Sequence, residues 1–283
     1  MSDPPSSRAH DGGRPSPVKQ ALAVIARLER ELSSARRKAR APVAIIGVGC
    51  RFPGKASDPA SYWSLLRDGR DAITEIPRER VALDALFHPI PGTPGKCYTR
   101  HGGFIDDIDQ FDPQLFAISP REAAAMDPQQ RLALEVSWEA LETAGLEPRT
   151  LQRARTGVFF GVAPSEYGQL ARTLHDRGDR EGIDSHHVTG TAPSAIAGRV
   201  AHFLKLQGPV MAIDTACSSA LVAVHVAIQS LRAGECDVAI AGGVNVLVNP
   251  DSFVAGCQAR MLSSRGRCRT FDAGADGYVR AEG

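Results

Sequence analysis

The chain has 283 residues, 43% of them apolar and 23% charged, with a formal net charge of +1. That length and composition suit one large α/β domain or two small ones, and the balanced charge excludes a global field for nucleic acid or anionic membranes. No apolar run approaches the ~20 residues of a membrane span.

The opening stretch, MSDPPSSRAHDGGRPSP, lacks the apolar core of a secretion signal, so a cytoplasmic location is expected. Residues 1–17 are rich in Ser, Pro, Gly and Asp and read as a disordered leader. Residues 18–40 change to helix-forming sequence. Val18, Ile25 and Leu32 share one heptad position, and Ala21, Leu28 and Ala35 another. A β-branched residue at a with Leu at d suits a parallel two-stranded coiled coil, although two of the three d positions are Ala. A lone amphipathic helix packing on its own domain is the other reading. The basic run Arg36, Arg37, Lys38 and Arg40 reads as a solvated helix end.

Pro42 ends that helix, and VAIIGVGCRFPG reads as an apolar strand entering a tight glycine turn. It is a poor dinucleotide fingerprint, since the third glycine and the following helix are lacking. A loose Pro- and Gly-rich stretch follows. Asp127 as N-cap, Pro128 at the first position and Gly145 at the end mark the next helix. TGVFFGV (156–162) reads as a buried strand and 191–206 as a helix of small residues. PVMAID (209–214) reads as another buried strand, SSALVAVHVAIQSLRAG as a helix, and CDVAIAGGVNVL as a third strand. Such β–α–β runs predict a parallel or mixed sheet covered by helices. The helix after Cys217 is apolar nearly all round, which predicts a place between two layers. No internal repeat is visible.

Six cysteines (50, 97, 217, 236, 257 and 268) are scattered, with no zinc-knuckle spacing. In a cytoplasmic protein they are expected to be reduced thiols, several of them buried, and no metal site is expected. Cys217 has two readings. A cysteine is commonly a small buried filler. Yet this one stands where a strand hands over to a helix, where first-turn N–H groups favour thiolate and can stabilise an oxyanion. Its neighbours Ala216, Ser218 and Ser219 are small enough to let a substrate approach.

The segment GPVMAIDTACSSALVAVHVAIQSLRAGECDVAIAGGVNV resembles the active-site region of β-ketoacyl synthases, in particular the ketosynthase domains of modular type I polyketide synthases. The likeness extends in family order through VAIIGVGCRFPG, GGFIDDIDQFDPQLFAISPREAAAMDPQQRLALEVSWEALETAG, TGVFFG and RCRTFDAGADGYVRAEG, over about residues 43–283. It implies a thiolase-like α/β fold, an αβαβα layered sandwich of two similar halves, normally a homodimer, with 43–283 as the N-terminal part. It implies that Cys217, by its TACSS match, takes an acyl chain from the phosphopantetheine arm of an acyl carrier protein. A malonyl-type extender would then be decarboxylated and condensed onto it. No cofactor is expected to bind the chain directly. Residues 18–40 would dock an upstream synthase subunit, their basic end meeting an acidic tail.

The family's two condensing histidines stand in HGTGT and NIGH motifs after the cysteine. Neither context surrounds any of the histidines at 10, 88, 101, 175, 186, 187, 202 and 225. His101 begins HGGF in an early strand segment. His225 lies two helical turns past Cys217 and reads as a packed or interface residue. His186 and His187 read as solvated in a polar loop. The chain stops inside a family motif, so the expectation is a fragment that can accept an acyl group without condensing it. Met126, in AMDPQQR, is either a pocket-lining residue or core. Ala216 and Ser218 are expected beside the substrate, and Thr215 only frames the nucleophile. A non-catalytic docking or dimerisation module and a fatty-acid-type ketosynthase are the alternative functions.

Overall fold

The computed structural model describes residues 16–176 and 184–283. Two compact units are present, Met1–Val43 and Ala44–Gly283.

Within the first unit, α1 (Pro17–Ala39) is one continuous helix, with an Arg27–Glu31 ion pair one turn apart at 3.6 Å. Of the heptad positions, Val18, Ile25, Leu28 and Leu32 are exposed on α1, as is Leu22 beside them. Of the expected leader, 1–15 lies outside the described residues and Pro17 opens α1. The side chains of Arg36, Arg37 and Lys38 also lie outside what is described.

The second unit opens with a departure from expectation. Residues 44–51 form no strand, and Ile45 and Ile46 are exposed. The physical reason is what they lie on. A Cβ on Gly49 would stand 2.5 Å from the Val136 carbonyl oxygen, and one on Gly47 would meet Ala140 O and Ala144 Cβ. The segment therefore rests on a helix and has no neighbouring strand to pair with. The expected tight turn follows, closed by Phe52 N–H donating to Ala56 O.

Next come α2 (Pro59–Arg67), capped by Asp58, and a two-residue antiparallel pairing of β1 (Thr74–Glu75) with β2 (His101–Gly102). Then come α3 (Pro120–Ala125), α4 (Pro128–Thr143) and α5 (Pro148–Arg153). In α4 the expected cap is present: Asp127 Oδ1 accepts from Gln129 N–H, and Gly145 beyond the end has φ +64°. The order continues with β3 (Thr156–Val162), α6 (Glu166–Asp176), α7 (Ser185–Thr191), α8 (Ser194–Leu204), β4 (Val210–Ile213), α9 (Ser219–Ala233), β5 (Val238–Val244) and α10 (Pro250–Gln258). His186 and His187 are thus helical, because Asp184 caps α7 by accepting from His186 N–H. The helix expected over 191–206 begins at Ser194, just after Pro193.

The central sheet is parallel, in the order β4-β3-β5. All seven residues of β3 are buried, and its side chains sort by the two-residue period of a strand. Val158, Phe160 and Val162 enter a large core with Leu134 of α4 and Ile196 and Val200 of α8. Phe159 points the other way, to Ala223 and Ala227 of α9 and to Cys236. β4 corrects the expectation of a buried strand: Val210 and Met211 are exposed, because β4 is an edge of this sheet. Residues Ala216–Ala233 are apolar enough by composition to cross a membrane, yet α9 buries only Ser219, Ala223, Ala227 and Ser230; it lies on the sheet by one face and leaves the other open, which corrects the expected place between two layers.

A second core gathers Ile76, Val81, Tyr98, Phe104, Leu247, Phe253 and Leu262. Two buried carboxylates join distant segments around it. Glu282, its side chain fully buried, accepts from Leu247 N–H, Ile105 N–H and Arg80. Burial pushes its carboxyl above the ordinary range, against the opposing pull of those donors. Glu166, at the start of α6, accepts from Val248 N–H, Asn249 N–H and Arg280.

Candidate active site

In open parallel sheets, functional groups gather beyond the carboxyl ends of the strands. β4 ends at Ile213, and four residues later Cys217 stands exposed. Between them the backbone turns sharply. Ala216 takes φ +54°, the left-handed region that costs an alanine of order 1–3 kcal/mol unless its surroundings hold it there.

The surroundings do hold it. Asp214 Oδ1 accepts from Ala216 N–H at 3.0 Å. Ser219 Oγ accepts from Thr215 N–H (2.8 Å) and donates to Ala216 O (2.7 Å), bracing the turn from both sides. Ser218 Oγ reaches Thr215 O and Thr215 Oγ1, both at 2.9 Å. Thr215 and Ser218 are thus occupied with each other, while Ala216 presents only a methyl group. α9 begins at Ser219 with no side-chain cap from Ser218, so first-turn N–H groups lie at the end of the helix where the thiol stands.

The turn is seated on glycine. A Cβ on Gly161 of β3 would lie 2.5 Å from the Ser219 carbonyl carbon and 2.7 Å from Ala220 Cα, and one on Gly243 of β5 would lie 2.7 Å from Ala220 Cβ. Two bare strand ends thus let α9 start directly on the sheet. Gly161, Gly243 and the bracing role of Ser219 were not singled out from the sequence. The available signal was glycine inside apolar strands, which marks close backbone approach.

The remaining site candidates fall elsewhere. Met126 is fully buried in the large core, where Asp127 N–H donates to Gly190 O beside it. His225 is exposed on α9, about 12 Å of helix rise past Cys217, and so is not packed here. His101 lies in β2, as expected. Cavities of about 370 and 280 Å³ open beside Arg51 and Glu139 and beside Arg121 and Tyr167; Cys217 lines neither.

An exposed thiol on a braced left-handed turn, at the carboxyl end of a parallel sheet, is laid out for nucleophilic attack. Among known proteins, the family described as Beta-ketoacyl synthase, N-terminal domain, matches residues 40–283. The chain belongs to the β-ketoacyl synthases. Its relatives place it with the ketosynthase domains of modular polyketide synthases. It is 47% identical over 276 residues to the spectinabilin polyketide synthase system protein NorC of Streptomyces orinoci, covering 95% of this chain and 12% of that one. It is 49% identical over 242 residues to a phenolphthiocerol/phthiocerol polyketide synthase protein of Mycobacterium tuberculosis, covering 86% of this chain and 15% of that one. Among solved structures, an oxazolomycin ketosynthase domain from Streptomyces albus superposes with a TM-score of 0.78 at 40% identity, covering 84% of this chain and 40% of that one. A ketosynthase from module 6 of the Bacillus subtilis bacillaene synthase gives 0.75 at 39%, covering 84% and 38%. The fold is therefore thiolase-like, and this ketosynthase chain spans well under half the length of these relatives.

Proposed function

We propose that Cys217 is the acyl-accepting nucleophile of polyketide chain extension. The observation that carries this reading is the exposed thiol on the left-handed turn braced by Ser219. The Cys217 thiolate attacks the thioester carbonyl of an acyl chain on the phosphopantetheine arm of an acyl carrier protein. First-turn N–H groups of α9 receive the oxyanion, and the carrier thiol leaves as the new thioester forms. Decarboxylative condensation with a malonyl-type extender then uses histidines in HGTGT and NIGH contexts that these 283 residues do not contain.

The partners in this proposal are the acyl carrier protein, a second ketosynthase copy, and an upstream synthase subunit docked on residues 18–40. A non-catalytic docking module is the second reading, favoured by the exposed apolar residues Val18, Ile25, Leu28 and Leu32 of α1. An acyl-pantetheine thioester separates the two. Covalent acylation seen by intact mass, and lost in Cys217→Ala, supports the nucleophile; no acylation of the folded chain, with docking intact, supports the second reading.

A further inference from the structure

Four of the six thiols are buried, and among the described residues only one pair of sulfurs meets. Cys97 Sγ and Cys257 Sγ lie 3.2 Å apart, 160 positions from each other in sequence, and both side chains are fully buried. They sit in the second core, where the chain leaving the 88–96 turn meets the last turn of α10. A hydrogen-bond chain passes through them. Tyr98 N–H donates to Cys257 Sγ (3.4 Å), and Cys97 Sγ lies within bonding distance of both Cys257 Sγ and Thr99 O (3.1 Å), its one proton serving either acceptor. The Cys97 thiol and Tyr98 N–H aimed at Cys257 hold its thiol below the ordinary range. Cys97 is pushed well above it, first by that same bond and then by burial. A sulfur that gives up its proton more readily than usual thus abuts one that keeps it, the arrangement of a thiol that attacks an oxidant beside a thiol that resolves it.

We propose that Cys97 and Cys257 form a disulfide modification site, reduced at rest and closed by a two-electron oxidant of the hydroperoxide class. The Cys257 thiolate attacks a peroxide oxygen; the O–O bond breaks, and hydroxide leaves, taking up the proton the thiol gave up. Cys97 Sγ then attacks the Cys257 sulfenic acid; the S–S bond forms, the S–O bond breaks, and the hydroxyl leaves with the Cys97 proton as water. Two thiols and one hydrogen peroxide give one disulfide and two waters, the sulfurs oxidised and the peroxide reduced. The sulfurs need to approach by about 1 Å.

Entry is through the turn that covers them. Gly92 and Gly95 hold positive φ there, and Ile90 is exposed. Its ties to the end of α10 are surface bonds, from Gln258 Nε2 to Thr93 O and Lys96 O and from Arg260 to Pro91 O. Such bonds open locally while the core stays folded.

The test does not depend on any reaction at Cys217. On the full folded chain, the exposed Cys217 and Cys268 are first blocked with iodoacetamide. Hydrogen peroxide is added and quenched, and the chain is denatured in N-ethylmaleimide for non-reducing peptide mapping. The expected product joins the Cys97 and Cys257 peptides, is lighter by two hydrogen atoms and separates in dithiothreitol. Cys50 and Cys236, buried without a sulfur neighbour, are expected as maleimide adducts. In Cys257→Ser the link is absent and Cys97 is recovered free. Recovery of Cys97 and Cys257 as two maleimide adducts after peroxide, or linkage of either to another cysteine, overturns the proposal. The principal readout is on the unsubstituted chain, so a variant that fails to fold leaves it standing.

Discussion

α8 and α9 flank the same three-stranded sheet and are both rich in small and aliphatic residues, yet they are finished differently. α8 buries Ile196, Ala197, Val200, Ala201 and Leu204 under α4. α9 buries Ala223 and Ala227 against the sheet and leaves Leu221 77% and Val224 41% exposed. Hydrophobicity in a sequence states that a face is to be covered; it does not state by what. One face of this sheet is a closed core. The other is a smaller contact, Phe159 and Cys236 against the alanines of α9, and it carries the turn that holds Cys217.

Neighbouring residues of β3 offer the sharpest way to break that contrast. Phe160 belongs to the closed face, and Phe160→Ala should cost about 3–5 kcal/mol in urea unfolding, because packed neighbours on two helices cannot collapse into the void. Gly161 belongs to the α9 face, where Gly161→Ala should cost about 1–3 kcal/mol by overpacking against Ser219 and Ala220. It should also slow Cys217 alkylation by iodoacetamide, since the turn itself is displaced; an unchanged rate would mean that the turn is not seated on Gly161. Ser219→Ala should cost about 1–2 kcal/mol by leaving Thr215 N–H without its acceptor, and Ser219→Thr should recover part of this. Leu221→Ala, on the open side of α9, should stay within about 0.5 kcal/mol, and a larger loss would show that this face is covered in solution.

The smallest effect is one of pH. The Ser263 hydroxyl, with Arg265 and Ser264, holds the Asp276 carboxyl down to about 2 from the ordinary 3.8. Its stabilising contribution is complete above the ordinary value and is lost as pH falls toward 2. Melting temperature followed over that window should fall less steeply in Asp276→Asn than in the native chain.

Where local rules decide the outcome, the sequence was readable. α4 has its cap, its proline and its terminal glycine in order, and β3 matches the stretch 156–162. At Cys217 the strand-to-helix junction left two readings open, and the resemblance of TACSS chose between them. What escaped was set by neighbours. Residues 44–51 look like a strand and lie on α4, β4 looks buried and is an edge, and His186 and His187 look loop-like but follow the Asp184 cap. Gly161 and Gly243 became legible only once β3 and β5 were known to be adjacent beneath α9. The Cys97–Cys257 contact, spanning 160 residues, has no local signature at all.

Glu282 introduces an order in time. Its carboxylate meets Arg80 across 202 residues, Ile105 across 177 and Leu247 across 35. Loops of such length close late in folding. Glu282 leaves the ribosome after β3, β4 and β5, so the sheet and the turn at Cys217 can form while the second core still lacks that carboxylate.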